Sequence, residues 1–328
     1  MGYTYDDKYI AEFNFRYDGT SRFPSHDRFV FNPSGSLAWV VSKENFWEPV
    51  SGVMNYLKFR ASYGQLGNQD VGAYAHIATM GSSTSAMVID GALPVVVGAP
   101  GLISGNLTWE KVRTLDFGVD MGFLNNRLTF EGDVYRRDTK GMLTGGQVLP
   151  AVLGTDVPNE NAADLKTIGW EFNIGWSDHL DLAGEPFFYS FAGNLSDAQA
   201  EITKFANPTG RLPWYFQRYG NFNGAYYEGM KLGEIWGLEV DGLYGSDTEA
   251  QSVDASEILC NAATWPAVAG SLKYVDQDGD RKISLGKKTL SDHGDLRKIV
   301  IPPYVTDSVS HSLANGTGST QVLSFRAC

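Results

Sequence analysis

The stretch that decides the fold is LDFGVDMGFLNNRLTFEGDV, residues 115–134. Leu115, Phe117, Val119, Met121 and Phe123 alternate with Asp116, Gly118, Asp120 and Gly122; after Asn125 and Asn126, Leu128, Phe130 and Val134 alternate with Thr129, Glu131 and Asp133. A period of two sends one set of side chains to each face of a β-strand. Two such runs separated by paired asparagines predict an antiparallel hairpin, because Asn tolerates the positive φ that a two-residue type I′ turn requires.

The same period recurs on either side. Tyr9, Ala11, Phe13, Phe15 and Tyr17 oppose Glu12, Asn14, Arg16 and Asp18; Phe29, Phe31, Leu37, Trp39 and Val41 share a face; Leu57, Phe59, Ala61 and Tyr63 oppose Lys58, Arg60 and Ser62. Further on, Ile168, Trp170, Phe172, Ile174 and Trp176 oppose Gly169, Glu171, Asn173 and Gly175, and Phe187, Tyr189, Phe191 and Leu195 oppose Ser190, Ala192 and Asn194. Runs of about ten residues match the ~9–11 that a tilted strand needs to cross a bilayer and exceed the ~5–6 of ordinary sheets. Aromatic residues gather near the run ends, at Tyr17, Phe29, Trp170, Trp176 and Phe187. Connections alternate in length: the short ones lie at Asn125-Asn126 and Ser177–Pro186, with a moderate one at Ser42–Asn55, and the long ones at Leu66–Lys111, Asp138–Asp164 and from Ala200 onward, while Gly19–Arg28, on the long-loop side, is of ordinary length. Short periplasmic turns alternating with long outer loops mark an outer-membrane barrel. The expected class is therefore all-β, an antiparallel transmembrane β-barrel segment with long extracellular loops. A soluble or surface-attached β-sandwich module for carbohydrate alternates in the same way and stands as the second reading.

Composition agrees with β structure: of 328 residues, 13% are aromatic and 37 are glycine. The formal net charge of −12 and the scattered Lys and Arg leave no basic footprint for nucleic acid. Cys260 and Cys328 have no metal-ligand spacing. Neither a secretory leader nor an apolar run long enough for a membrane helix is legible. His26, His76, His179, His293 and His311 stand far apart, and no nucleophile elbow or phosphate loop occurs, so catalysis has no candidate.

Two stretches suggest ligand chemistry. Asp276, Asp278 and Asp280 alternate as oxygen donors do in a calcium loop, with Ile283 at the expected apolar position, but Arg281 stands where a turn glycine is usual and Lys287 where a bidentate Glu is usual. The plain reading is a solvated acidic turn that orders the loop, and a calcium-like cation is the second reading. Trp214, Tyr215, Tyr219, Asn221 and Asn223 could offer rings and amides to a sugar, or simply pack over a barrel mouth.

Several segments resemble the SusC/RagA group of TonB-linked outer-membrane proteins of Bacteroidetes: YDDKY at Tyr5–Tyr9, FRYDGTSRF at Phe15–Phe23, LKFRASYGQLGNQ at Leu57–Gln69, LTWEK at Leu107–Lys111, GWEF at Gly169–Phe172 and LKYVDQDGD at Leu272–Asp280. The resemblance implies a wall segment of a 22-stranded barrel with an N-terminal plug, in the outer membrane and exposed to its lipid. It implies import of glycans, oligosaccharides or peptides, with a SusD-like lipoprotein as lid and the TonB–ExbB–ExbD complex as energy source. It also implies that plug, TonB box and earlier strands precede Met1. The family pattern ends near Ile299. Residues 1–299 are expected to be receptor barrel with outer loops, and 300–328 an out-of-frame tail, since another frame of Ala314–Cys328 permits a family-like strand.

Overall fold

The computed structural model describes residues 1–105, 107–145, 158–182, 185–208, 210–212, 214–216, 221–223, 226–254, 268–300 and 326–327. Two compact units result, Met1–Ala200 with Thr320–Cys328, and Glu201–Ser319. The sequence showed no such boundary.

The first unit is one antiparallel sheet. Its strands are β1 (Gly2–Tyr5), β2 (Tyr9–Gly19), β3 (Phe29–Val40), β4 (Met54–Asn68), β7 (Glu110–Phe123), β8 (Leu128–Gly145), β9 (Asn159–Leu182) and β10 (Glu185–Lys204), with the two-residue β17 (Arg326–Ala327) beside β10. A small hairpin, β5 (Ser82–Thr84) with β6 (Val95–Val97), lies within the long connection from β4 to β7.

Pairing register turns the alternation of each strand into two continuous faces. One ladder runs Ala11, Leu37, Ala61, Phe117, Val134, Trp170 across neighbouring strands. One residue along, the ladder reads Glu12, Ser36, Ser62, Asp116, Tyr135, Gly169. A slip by one residue would exchange the faces of a whole strand, so the sequence pattern specifies the register. The apolar face is bare: Leu37 is 64%, Phe117 57% and Val134 52% exposed. A sandwich would bury such a face beneath a second sheet, whereas here it stands exposed.

Three local expectations are corrected. β1 was not foreseen; four residues are too few to show a period, and the chain turns into β2 through Asp6 and Asp7, both at φ 51°. The 115–134 hairpin closes with four residues rather than two: Phe123 pairs Leu128, and Leu124, Asn125 and Asn126 take φ of 52°, 58° and 63°. Strands also outrun the expected ten residues, β8 reaching 18, β9 24 and β10 20, because they take in residues read from the sequence as connections, within Asp138–Asp164, Ser177–Pro186 and from Ala200 to Lys204.

A buried cluster of this unit lies at the loop end of the sheet, where Phe23, Val71, Leu107 and Trp109 pack with Val30 of β3. In the second unit β13 (Glu234–Leu238) pairs β16 (Leu296–Val300), β14 (Val240–Leu243) pairs β15 (Leu272–Tyr274), and β11 (Trp214–Phe216) pairs β12 (Asn221–Asn223). A single helical turn, α1 (Asp247–Ala250), starts where the Ser246 hydroxyl accepts from the Glu249 amide. Leu212, Ile283 and Leu296 are its buried centre.

Candidate functional site

The polar face of the sheet carries a charge network built by register. Asp120 sits opposite Glu131, and Asp133 opposite Glu171, pairings of like charge that need cations between them. β4 supplies those cations. Arg60 Nε donates to Asp120 Oδ1 at 2.9 Å, Arg60 Nη2 reaches Asp133 Oδ1 at 3.0 Å, and Lys58 Nζ lies 3.3 Å from Asp120 Oδ2. The guanidinium crosses β7 above Gly118, where a Cβ would strike the Asp133 carboxylate and stand 2.8 Å from Arg60 Cζ. Glycine at 118 thus makes room for a bridge spanning three strands. With Asp116, the result is a partly exposed acidic strip opposite a bare apolar face, which suits a wall between lipid and water.

At the long-loop end, side chains tie one loop to the next. Arg22 Nη1 donates to the Val71 carbonyl at 2.7 Å, and the Arg22 carbonyl meets His76 Nδ1 at 2.9 Å. Asn161 acts as a staple: its amide donates to the carbonyls of Thr108 and Gly141, and its oxygen accepts from the Thr108 amide at 2.9 Å. Gly141, at φ 67°, forms the bulge that offers this carbonyl, and Asp164 holds the bulge through the Gly141 amide at 2.8 Å and Lys140 Nζ at 3.0 Å. These bonds, with the Phe23 and Trp109 cluster, build a preformed collar at the mouth of the wall.

In the second unit the acidic loop closes on itself. Asp276 accepts from the amides of Gly279 and Arg281, each at 2.7 Å. Arg281 adopts φ 64°, so it takes up the left-handed turn expected of glycine at that position. Carboxylate oxygens of Asp276, Asp278 and Asp295 lie within 4.8 Å of one another. Asp280 points to the Lys282 amide at 2.7 Å instead, and the buried Asp295 accepts from the amides of Gln277 and Ser284, both at 2.7 Å. Sequence reasoning missed Asp295 because only the β13–β16 pairing returns it to the loop.

Electrostatics splits the cluster. Desolvation opposes ionisation of Asp276, but the Arg281 and Gly279 amides hold its carboxyl below the usual range. Asp278 gains from the Asp280 amide, yet desolvation and the carboxylates of Asp280, Asp295 and Asp276 hold it above that range. Nearby, Glu234 is buried and accepts from the Tyr227 hydroxyl and from Trp236 Nε1 at 2.8 Å, with Lys298 Nζ 3.5 Å away. Burial, and then Glu234, pushes the Tyr227 hydroxyl far up, so it stays a donor.

Of the aromatic candidates, Trp214 pairs Asn223 and Tyr215 pairs Phe222 through the backbone of the β11–β12 hairpin, with Phe216 opposite Asn221. Tyr219 lies outside the described residues, as do the side chains of Trp214, Tyr215, Asn221 and Asn223.

A family model described as TonB dependent receptor-like, beta-barrel matches residues 2–289. TonB-dependent receptor P3 of Formosa agariphila is 32% identical over 294 residues, 88% of this chain and 28% of that protein. SusC of Bacteroides thetaiotaomicron is 30% identical over 207 residues, 62% of this chain and 20% of that protein. The solved RagAB peptide transporter superposes with a TM-score of 0.58 at 25% identity, over 75% of this chain and 26% of its own. The RagAB peptide importer in its closed-closed state gives 0.60 at 21% identity over 85% of this chain, which speaks to the fold alone. The chain thus spans between 20% and 28% of these relatives.

Proposed function

The chain belongs to the TonB-dependent receptor-like β-barrel family, a family of outer-membrane proteins, and from that premise we propose that it forms part of the wall and outer loops of an active importer for oligosaccharides or peptides. The carrying observation is the pair of opposed ladders. Apolar side chains from Ala11 to Trp170 face one way without cover, and Glu12, Ser62 and Asp116 face the other. In water the first face would be a liability; against acyl chains it is the stable arrangement, with backbone bonds satisfied between strands. The acidic strip then lines the lumen, and the stapled collar frames the entrance.

A SusD-like lipoprotein as lid and TonB–ExbB–ExbD as energy source complete this proposal, supported by similarity to SusC and to the RagAB peptide transporter. Its relatives are receptors and transporters rather than enzymes.

Two measurements test the reading. The purified chain is expected to need detergent; a monodisperse, detergent-free preparation with a cooperative melt overturns the wall. Deleting the locus is expected to stop growth on one oligosaccharide or peptide source, and unchanged growth and uptake across both classes overturns import.

A further inference from the structure

We propose that the connection from Val41 to Val53 is an interfacial foot that inserts Phe46, Val50 and Val53 into the periplasm-facing lipid leaflet; this rests on the wall reading above. The connection lies at the short-turn end of the sheet and contains two 3₁₀ turns, Val41–Lys43 and Asn45–Val50. It exposes a run of apolar side chains: Phe46 is 63%, Val50 44% and Val53 64% exposed, and Leu124, whose amide donates to the Val53 carbonyl, is 45% exposed.

Its neighbours locate the interface. On the lipid-facing side Tyr9 and Trp39 stack with ring centroids 6.4 Å apart, and both polar tips meet one carboxylate. Tyr9 Oη donates to Glu44 Oε1 at 2.7 Å and Trp39 Nε1 to the same atom at 3.1 Å. Aromatic rings with apolar bodies and polar tips mark the level where acyl chains give way to headgroups. Around Glu44 the charges pair, Lys8 with Asp6 at 3.0 Å and Lys43 with Asp7 at 3.4 Å. The foot is thus continuous with the apolar band.

The backbone of the foot is fit for a low-dielectric boundary. Trp47 N donates to Glu44 O, Ser51 N to Trp47 O and Val53 N to Val50 O, while Pro49 has no N–H to satisfy. Trp47 Nε1 clips the return of the chain by donating to the Met54 carbonyl at 2.9 Å. A turn that closes its own bonds while turning three apolar side chains outward is built to rest in lipid.

The test uses the full chain with Cys260→Ser and Cys328→Ser, reconstituted in phosphatidylethanolamine–phosphatidylglycerol vesicles that carry nitroxide lipids at set depths. Single-cysteine variants Phe46→Cys, Val53→Cys, Leu37→Cys and Ser36→Cys each bear a polarity-sensitive fluorophore. Deep nitroxides are expected to quench the label at 37, shallow ones those at 46 and 53 at about 5–10 Å below the headgroup boundary, and none the label at 36. Quenching at 37 with none at 46 and 53 overturns the foot and leaves the wall. Blue-shifted but unquenched labels at 46 and 53 mean that protein covers them, which also overturns it. Absence of quenching at 37 overturns the wall reading and the foot with it.

Discussion

Arg60 on β4 and Asp120 on β7 meet at 2.9 Å on the polar face of the sheet, and the same guanidinium continues to Asp133 on β8. One cation therefore holds two anions from different strands. Arg60→Ala leaves Asp133 facing Glu171 without a cation and Asp120 with Lys58 alone, at an expected cost of about 1–2 kcal/mol in unfolding by urea. Gly118→Ala should cost a similar amount by displacing the guanidinium, and the double variant should cost no more than the larger single change. Additive losses would show that Gly118 serves something other than this bridge.

Asn161 is expected to stabilise the loop collar and not the wall. Asn161→Leu removes bonds to Thr108 and Gly141 and leaves backbone groups unmet, at about 1–3 kcal/mol. Limited proteolysis should cut faster within residues 69–109, while amide exchange in β4 and β7 stays as in the parent. Faster exchange in those strands would make Asn161 part of the wall's stability.

Asp278 carries the clearest acid-side signature outside the wall. Because its carboxyl is held above the usual range, its ionised form withdraws stability at neutral pH, and that cost fades as pH falls through the raised value. In EDTA at pH 7, Asp278→Asn should melt above the parent, with the gap narrowing on acidification. A cation gathered by Asp276, Asp278 and Asp295 would reverse the order in millimolar calcium, so the same pair of melts reads it. A variant melting lower in EDTA contradicts the repulsion argument.

Glu44 should behave in the opposite sense. The Tyr9 hydroxyl, and then the Trp39 indole, hold its carboxyl below the usual range, so its contribution is present above the ordinary carboxylate value and lost as pH falls through the lowered one. Glu44→Gln should lower the melting point at neutral pH and converge with the parent in acid. A gap that is constant with pH would mean that the carboxylate charge is not what the two rings hold.

The sheet was legible because a period of two, repeated across strands, fixes the face of each residue and so puts Leu37, Phe117 and Val134 on one side. Contacts made between distant segments were not. Asp295 joins Asp276 only through the β16 pairing, and Arg60 finds Asp133 only because β7 lies between their strands. The positive φ of Arg281 is a case in which position in a turn overrides residue preference, so reading the residue alone pointed away from the turn it makes. Asn125 and Asn126 marked the hairpin correctly, but they could not reveal that Leu124 also turns left-handed.

The closing pair of the second unit has an evolutionary consequence. β13 and β16 lie side by side, with Glu234 opposite Val300 and Leu238 opposite Leu296, so the long stretch between them departs and returns at a single antiparallel stem. The segment is also tied outside that stem, because the Leu212 amide donates to the Lys288 carbonyl at 3.0 Å and the Leu290 amide to the Gly210 carbonyl at 2.8 Å. A block exchange of residues 239–295 between relatives therefore has to preserve the strand pair and these backbone bonds together.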